Sequence, residues 1–159
     1  MHVPGNVIGT YEGTPEGIII HGTRSGQGYS INREYTATLN YVAGGAAGLG
    51  WLCTIGDGVL AWHMNINEWG WNAREHSSKY IGVEVAQAKL GDTPSDAQIE
   101  GIAYVWTRCK SVWPAMPLRF VNHSDLPAGI RDGKTDIEPR GKHATIDRVL
   151  SRLYRAGYR

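Results

Sequence analysis

The sequence predicts an α/β domain, a central mixed β-sheet flanked by helices. Three observations point there. Short apolar runs with a two-residue repeat alternate along the chain with longer stretches of helical spacing. Gly and Pro fall in brief punctuations between these runs, with no linker, repeat or low-complexity tract. The 159 residues, 42% apolar and 19% charged, suffice for one domain over 1–159 and are too apolar for disorder.

Each element follows from its local pattern. Residues 17–22 (GIIIHG) read as a strand with Ile18 and Ile20 on one face and Ile19 and His21 on the other. Residues 31–43 fit a helix started by Ser30 or Asn32, with Tyr35, Leu39 and Val42 as its apolar stripe and Gly44-Gly45 as its stop. Residues 50–56 and 58–63 flank Gly56-Asp57-Gly58 as a hairpin. Residues 80–87 (YIGVEVAQ) form the clearest buried strand: Ile81, Val83 and Val85 share one face, Gly82, Glu84 and Ala86 the other. A carboxylate between two small residues belongs in a pocket. Ser95 and Gln98 then make a capping box, and Ile99, Ile102, Trp106, Cys109 and Trp113 recur at helical spacing along 96–113. Residues 118–123 return to strand, and 143–156 close as a helix with Ile146, Val149, Leu150 and Leu153.

Composition excludes several classes. A formal net charge of +1 gives little pull toward nucleic acid or anionic membranes. No run approaches the ~18 apolar residues of a membrane span. Cys53 and Cys109 sit in apolar patterns without a CxxC partner and read as buried reduced thiols rather than a disulfide. The start, MHVPGNVIGTYEG, has no charged-then-apolar leader, so synthesis in the cytoplasm is expected.

The chemistry concentrates in HSDLPAGIRDGKTD, residues 123–136, read as a loop after the 118–123 strand. His21, His123 and Asp136 supply two imidazoles and a carboxylate, a set that leaves a fourth zinc position open to water. Strand ends on one sheet edge can bring them together, although the spacing alone is no general zinc signature. Lys134, two residues before Asp136, can deliver a positive charge beside the same centre. His63 in LAWHMN reads as a partly buried hairpin histidine, His76 as part of a polar loop, and His2 and His143 as surface residues.

The segments GIIIHGT, GLGWLCTIGDG, EWGWNA, YIGVEVAQ and HSDLPAGIRDGKTD, in this order, resemble the type 2 N-acetylmuramoyl-L-alanine amidases, the family of phage-lysozyme-type amidases and peptidoglycan recognition proteins. The resemblance runs from about residue 16 to the final helix. It implies that family's fold, Zn2+ held by His21, His123 and Asp136, and cleavage of the amide between N-acetylmuramic acid and L-alanine. Glu84 falls where the cell-wall-recycling and lipoprotein branches carry a catalytic glutamate, and Lys134 falls on the lysine before the third ligand. These residue types suit a proton acceptor and an oxyanion donor. A buried salt bridge of Glu84 with Arg74 or Lys134 is the alternative.

Two positions depart from the family pattern. Trp51 stands in place of a tyrosine, so Lys134 or the indole must replace a hydroxyl donor. Asn72 replaces the histidine of W-H-A and is read as a substrate-binding amide. Thr23 and Arg24, in the turn after His21, are further substrate contacts, Arg24 through a peptide carboxylate. The expected partner is peptidoglycan or a muropeptide, with no nucleic acid and no membrane insertion. The expected setting is a phage endolysin made in the host cytoplasm and acting on the wall after membrane permeabilisation. A recycling amidase, a non-catalytic peptidoglycan-binding module and a protein-binding regulator are the competing readings.

Overall fold

The computed structural model describes residues 1–23 and 30–159. Its strands are β1 Gly9–Thr10, β2 Ile18–Gly22, β3 Cys53–Ile55, β4 Leu60–Trp62, β5 Glu68–Trp69, β6 Ile81–Val85 and β7 Phe120–Asn122. Its helices are α1 Ile31–Ala43, α2 Asp96–Val112, α3 Pro127–Arg131 and α4 Ala144–Arg155. The main sheet has the order β4-β3-β6-β2-β7, with β3, β6, β2 and β7 parallel and β4 antiparallel at one edge. This is the expected mixed sheet.

Every residue of β2 is buried, so the sheet is covered on both faces there. On one face Ile18, Ile20, Val83 and Val85 meet Ile99, Ile102, Trp106 and Cys109 of α2 and Val149 and Leu153 of α4. Each such aliphatic side chain contributes about 1.5–3 kcal/mol by leaving water. The capping box forms as expected: Ser95 accepts from Gln98 N, and the Gln98 side chain reaches back to the Ser95 backbone. Both cysteines are buried and free.

The opposite face is covered in two separate patches. Helix α1, capped by Ser30 and stopped at Gly44, packs Tyr35 against Ala61 and Ala86. Elsewhere Ile19 meets Ala73, Tyr80 and Leu126. A cavity borders both α1 and the carboxyl ends of the parallel strands, where ligands of open α/β sheets are held.

Two regions differ from the sequence expectation. The 123–136 segment is more than a loop, because it contains a 3-10 turn at His123–Asp125 and then α3. Pro127 at the first turn sets that helix, and only glycine fits at 129, where a Cβ would lie 1.8 Å from the His123 carbonyl oxygen. The pairing of β1 with β5 had no sequence signal, since two-residue strands are too short to show alternation. No helix of the described residues is long and apolar enough to cross a membrane.

Candidate metal centre and its cavity

Sheet register builds the site. His21 pairs with Glu84 and Glu84 with Thr54, so these three side chains form one row across β2, β6 and β3. Ile20 pairs with Asn122, so His21 and His123 follow next to each other as β2 and β7 run out, with ring centroids 4.5 Å apart. Two histidines separated by 101 intervening residues thus meet at one sheet edge because parallel strands share a register.

Asp136 reaches the same point through a chain reversal. The Gly129 carbonyl accepts from Lys134 N, and Ser124 N donates to the Asp136 carbonyl at 3.1 Å. Ser124 Oγ also donates to the Glu138 carbonyl at 2.8 Å. The Glu138 carboxylate in turn accepts from the backbone N–H and hydroxyl of Thr145, tying the loop to the start of α4.

The outcome is a buried cluster. His21, His123 and Asp136 are 5%, 5% and 3% exposed, and one ligand atom from each lies within 4.8 Å of the others. Nδ1 of His123 is 3.2 Å and Nδ1 of His21 3.5 Å from the same oxygen, Asp136 Oδ2. The other oxygen, Asp136 Oδ1, is buried and has no hydrogen-bond partner among the described residues. Two imidazole nitrogens turned onto one carboxylate with an orphaned second oxygen fit a divalent cation, which relieves that cost. Burial pushes the Asp136 carboxyl up, but the His123 and His21 imidazoles set against it outweigh that and hold the group well below the usual carboxylate range. Burial also lowers His123, favouring the neutral imidazole a metal needs.

The cluster opens into a cavity of about 460 Å³ that also takes in Glu84 and Lys134. Removal from water raises the half-buried Glu84 carboxyl to about 8, and the Asp136 charge adds to this while Lys134 opposes it. Arg74 is not its partner: it pairs with Asp132 at 2.6 Å on the surface.

The other expected contacts divide. Thr23 lines the cavity, while its hydroxyl accepts from Gln87 N at 2.8 Å and locks β2 to the end of β6. Arg24 lies outside the described residues. Trp51 lines the cavity, but its indole N–H donates to Thr54 Oγ1 at 3.0 Å and cannot also serve as an oxyanion donor. The alternative in which the indole replaces the family hydroxyl is therefore corrected. The Thr54 hydroxyl meets His63 Nε2 at 2.8 Å, and His63 Nδ1 donates to the Val3 carbonyl at 2.7 Å. His63, expected to be partly buried in the hairpin, is 2% exposed and held by both ring nitrogens. Asn72 borders the cavity with Oδ1 3.3 Å from His21 Nε2.

One wall was missed. Glu34, Ala37, Thr38 and Tyr41 line the cavity from one face of α1. Their i, i+3, i+4, i+7 spacing was visible, but Tyr35, Leu39 and Val42 took the helix's only apolar reading.

The site is thus a mixed sheet whose parallel strands end in two histidines, closed by a carboxylate from a returning loop. The Amidase_2 family model, N-acetylmuramoyl-L-alanine amidase, matches residues 11–140, and the chain belongs to that family. No curated protein matches it. Among solved structures it is similar to a selenomethionine AmpD derivative, at 20% identity and TM-score 0.68 over 93% of this chain and 92% of that one. A mutant endolysin from Bacillus subtilis aligns at 19% identity and TM-score 0.60, covering 83% and 91%. Drosophila PGRP-LB aligns at 14% identity and TM-score 0.58, covering 95% and 85%.

Proposed function

We propose that this chain is a zinc-dependent N-acetylmuramoyl-L-alanine amidase, hydrolysing the amide between the lactyl group of N-acetylmuramic acid and L-alanine of the stem peptide. The observation that carries the reading is the convergence of His21, His123 and Asp136 beside Glu84 and Lys134 in one cavity. A binding module needs no such cluster.

When bound, zinc supplies a Lewis acid that acidifies water to a pKa of ~7 and polarises a carbonyl. His21, His123 and Asp136 would hold it. Glu84 accepts the proton of the attacking water on its carboxylate and returns it to the leaving amine of L-alanine, a task suited to a carboxyl raised to about 8. The Lys134 ammonium faces the charge that develops on the carbonyl oxygen, and one such donor is worth ~10²–10³ in rate.

We read the setting as phage-driven lysis. The second reading, turnover of soluble wall fragments, is favoured by Glu84 standing where the recycling branch carries its glutamate. Digestion of purified peptidoglycan tests the reaction: new N-terminal alanine, no new reducing ends and loss of activity with chelator are expected together. Any other amino acid as the main new terminus refutes the amidase assignment. Comparing rates on intact sacculi and soluble muropeptides separates the two settings.

A further inference from the structure

We propose that Asn72 is a positioning residue, which holds the His21 imidazole in its Nε2–H tautomer and so turns the Nδ1 lone pair toward the metal position. This rests on the reading of His21 as a ligand and adds how that ligand is set.

The orientation of the amide is decided by its surroundings. Asn72 Nδ2 donates to the Gly70 carbonyl at 2.9 Å and the Gly50 carbonyl at 3.4 Å, both of which only accept. The opposite atom, Oδ1, must then be the one 3.3 Å from His21 Nε2, and as an acceptor it requires the proton on that nitrogen. With Nε2 protonated, neutral His21 has its lone pair on Nδ1, the nitrogen that faces Asp136 Oδ2.

Three glycines make this placement possible. A Cβ at Gly70 would come within 2.8 Å of Gly50 Cα and 2.3 Å of the Asn6 carbonyl oxygen, and one at Gly50 would lie 2.2 Å from that same oxygen. The two carbonyls can converge on one amide because the segments carrying them touch backbone to backbone. A Cβ at Gly82 would lie 2.7 Å from the Asn72 side chain, so the amide occupies the space that glycine leaves open on β6. Ser77 Oγ accepts from Asn72 N at 3.0 Å and Ala73 N at 2.9 Å, fixing the backbone from which the amide projects. GLG, WGWN and IGVE, separate in sequence, therefore form one cradle behind His21.

The test uses Asn72→Ala, which removes the acceptor facing His21 Nε2. Zinc affinity is measured at fixed pH by competition with a chromophoric chelator, and His21 by imidazole ¹⁵N spectra of the zinc-free protein under conditions where the ring is neutral. Wild type should show the Nε2–H tautomer with slow proton exchange. Asn72→Ala should bind zinc about 10–100-fold more weakly, with mixed tautomers and fast exchange. Wild-type zinc affinity in a folded Asn72→Ala, or an Nδ1–H tautomer in wild type, overturns the proposal. The wild-type spectrum decides even if Asn72→Ala does not fold. A wild-type chain that held the Nε2–H tautomer but bound no zinc would refute the metal reading and not the tautomer assignment.

Discussion

Glu84→Gln separates the two consequences of a carboxylate held away from water. In the folded chain the Glu84 carboxyl is raised from 4.5 to about 8, with burial the main cause. The folded state therefore binds more protons than the unfolded state between those two values. The stability tied to this proton is fully present below about pH 4.5 and is lost as pH rises through 8. At about 1.4 kcal/mol per pKa unit the ceiling is roughly 5 kcal/mol, and because Glu84 borders a cavity open to solvent, about 2 kcal/mol is expected. Glutamine keeps the shape and cannot ionise. The variant should thus gain about 2 kcal/mol over wild type at pH 9 relative to their difference at pH 5. Urea unfolding of the zinc-free proteins at both pH values measures this, without a dication that would lower the carboxyl itself. The same variant, loaded with zinc, should lose about 10²–10⁴ in rate because its proton acceptor is gone. Equal stability differences at the two pH values would refute the desolvation argument, and more than about a tenth of wild-type rate would refute the general-base role.

Lys134→Ala should lower kcat more than it raises KM, since an oxyanion contact forms mainly in the transition state. Steady-state kinetics on a soluble muropeptide checks this, and an unchanged kcat with raised KM would make Lys134 a substrate anchor. Metal analysis should find one zinc per wild-type chain and none in the His21→Ala, His123→Ala double variant; stoichiometric zinc in that variant would sink the ligand assignment. Free zinc at 100 times its Kd should stabilise the wild type by about 2.7 kcal/mol. Gly129→Ala should cost about 2–3 kcal/mol in urea unfolding, because its Cβ would meet the His123 carbonyl oxygen at 1.8 Å. A loss under about 0.5 kcal/mol would show that α3 can shift freely.

The long elements were legible because burial imposes a period on the residues that achieve it. Ile18 and Ile20 alternate with Ile19 and His21, and the Ile99–Cys109 stripe repeats every third or fourth residue, as the two sides of one core demand. Ser95 and Gln98 announced the start of α2 because a cap is a local exchange of hydrogen bonds. The pairing of β1 with β5 left no such trace, since two residues cannot display a period.

For the site, sequence supplied residue types and, through family resemblance, their candidate roles. Tertiary structure decided which atoms are free to act. The Trp51 indole N–H is spent on Thr54, and Arg74 is drawn to Asp132 rather than Glu84, because each polar group bonds the nearest partner the fold presents. Asn72 reads as a substrate amide in WGWN, and the fold sets its Nδ2 against the Gly50 and Gly70 carbonyls and its Oδ1 beside His21. No local pattern carries that information: it depends on strand register and on backbones that glycine lets touch.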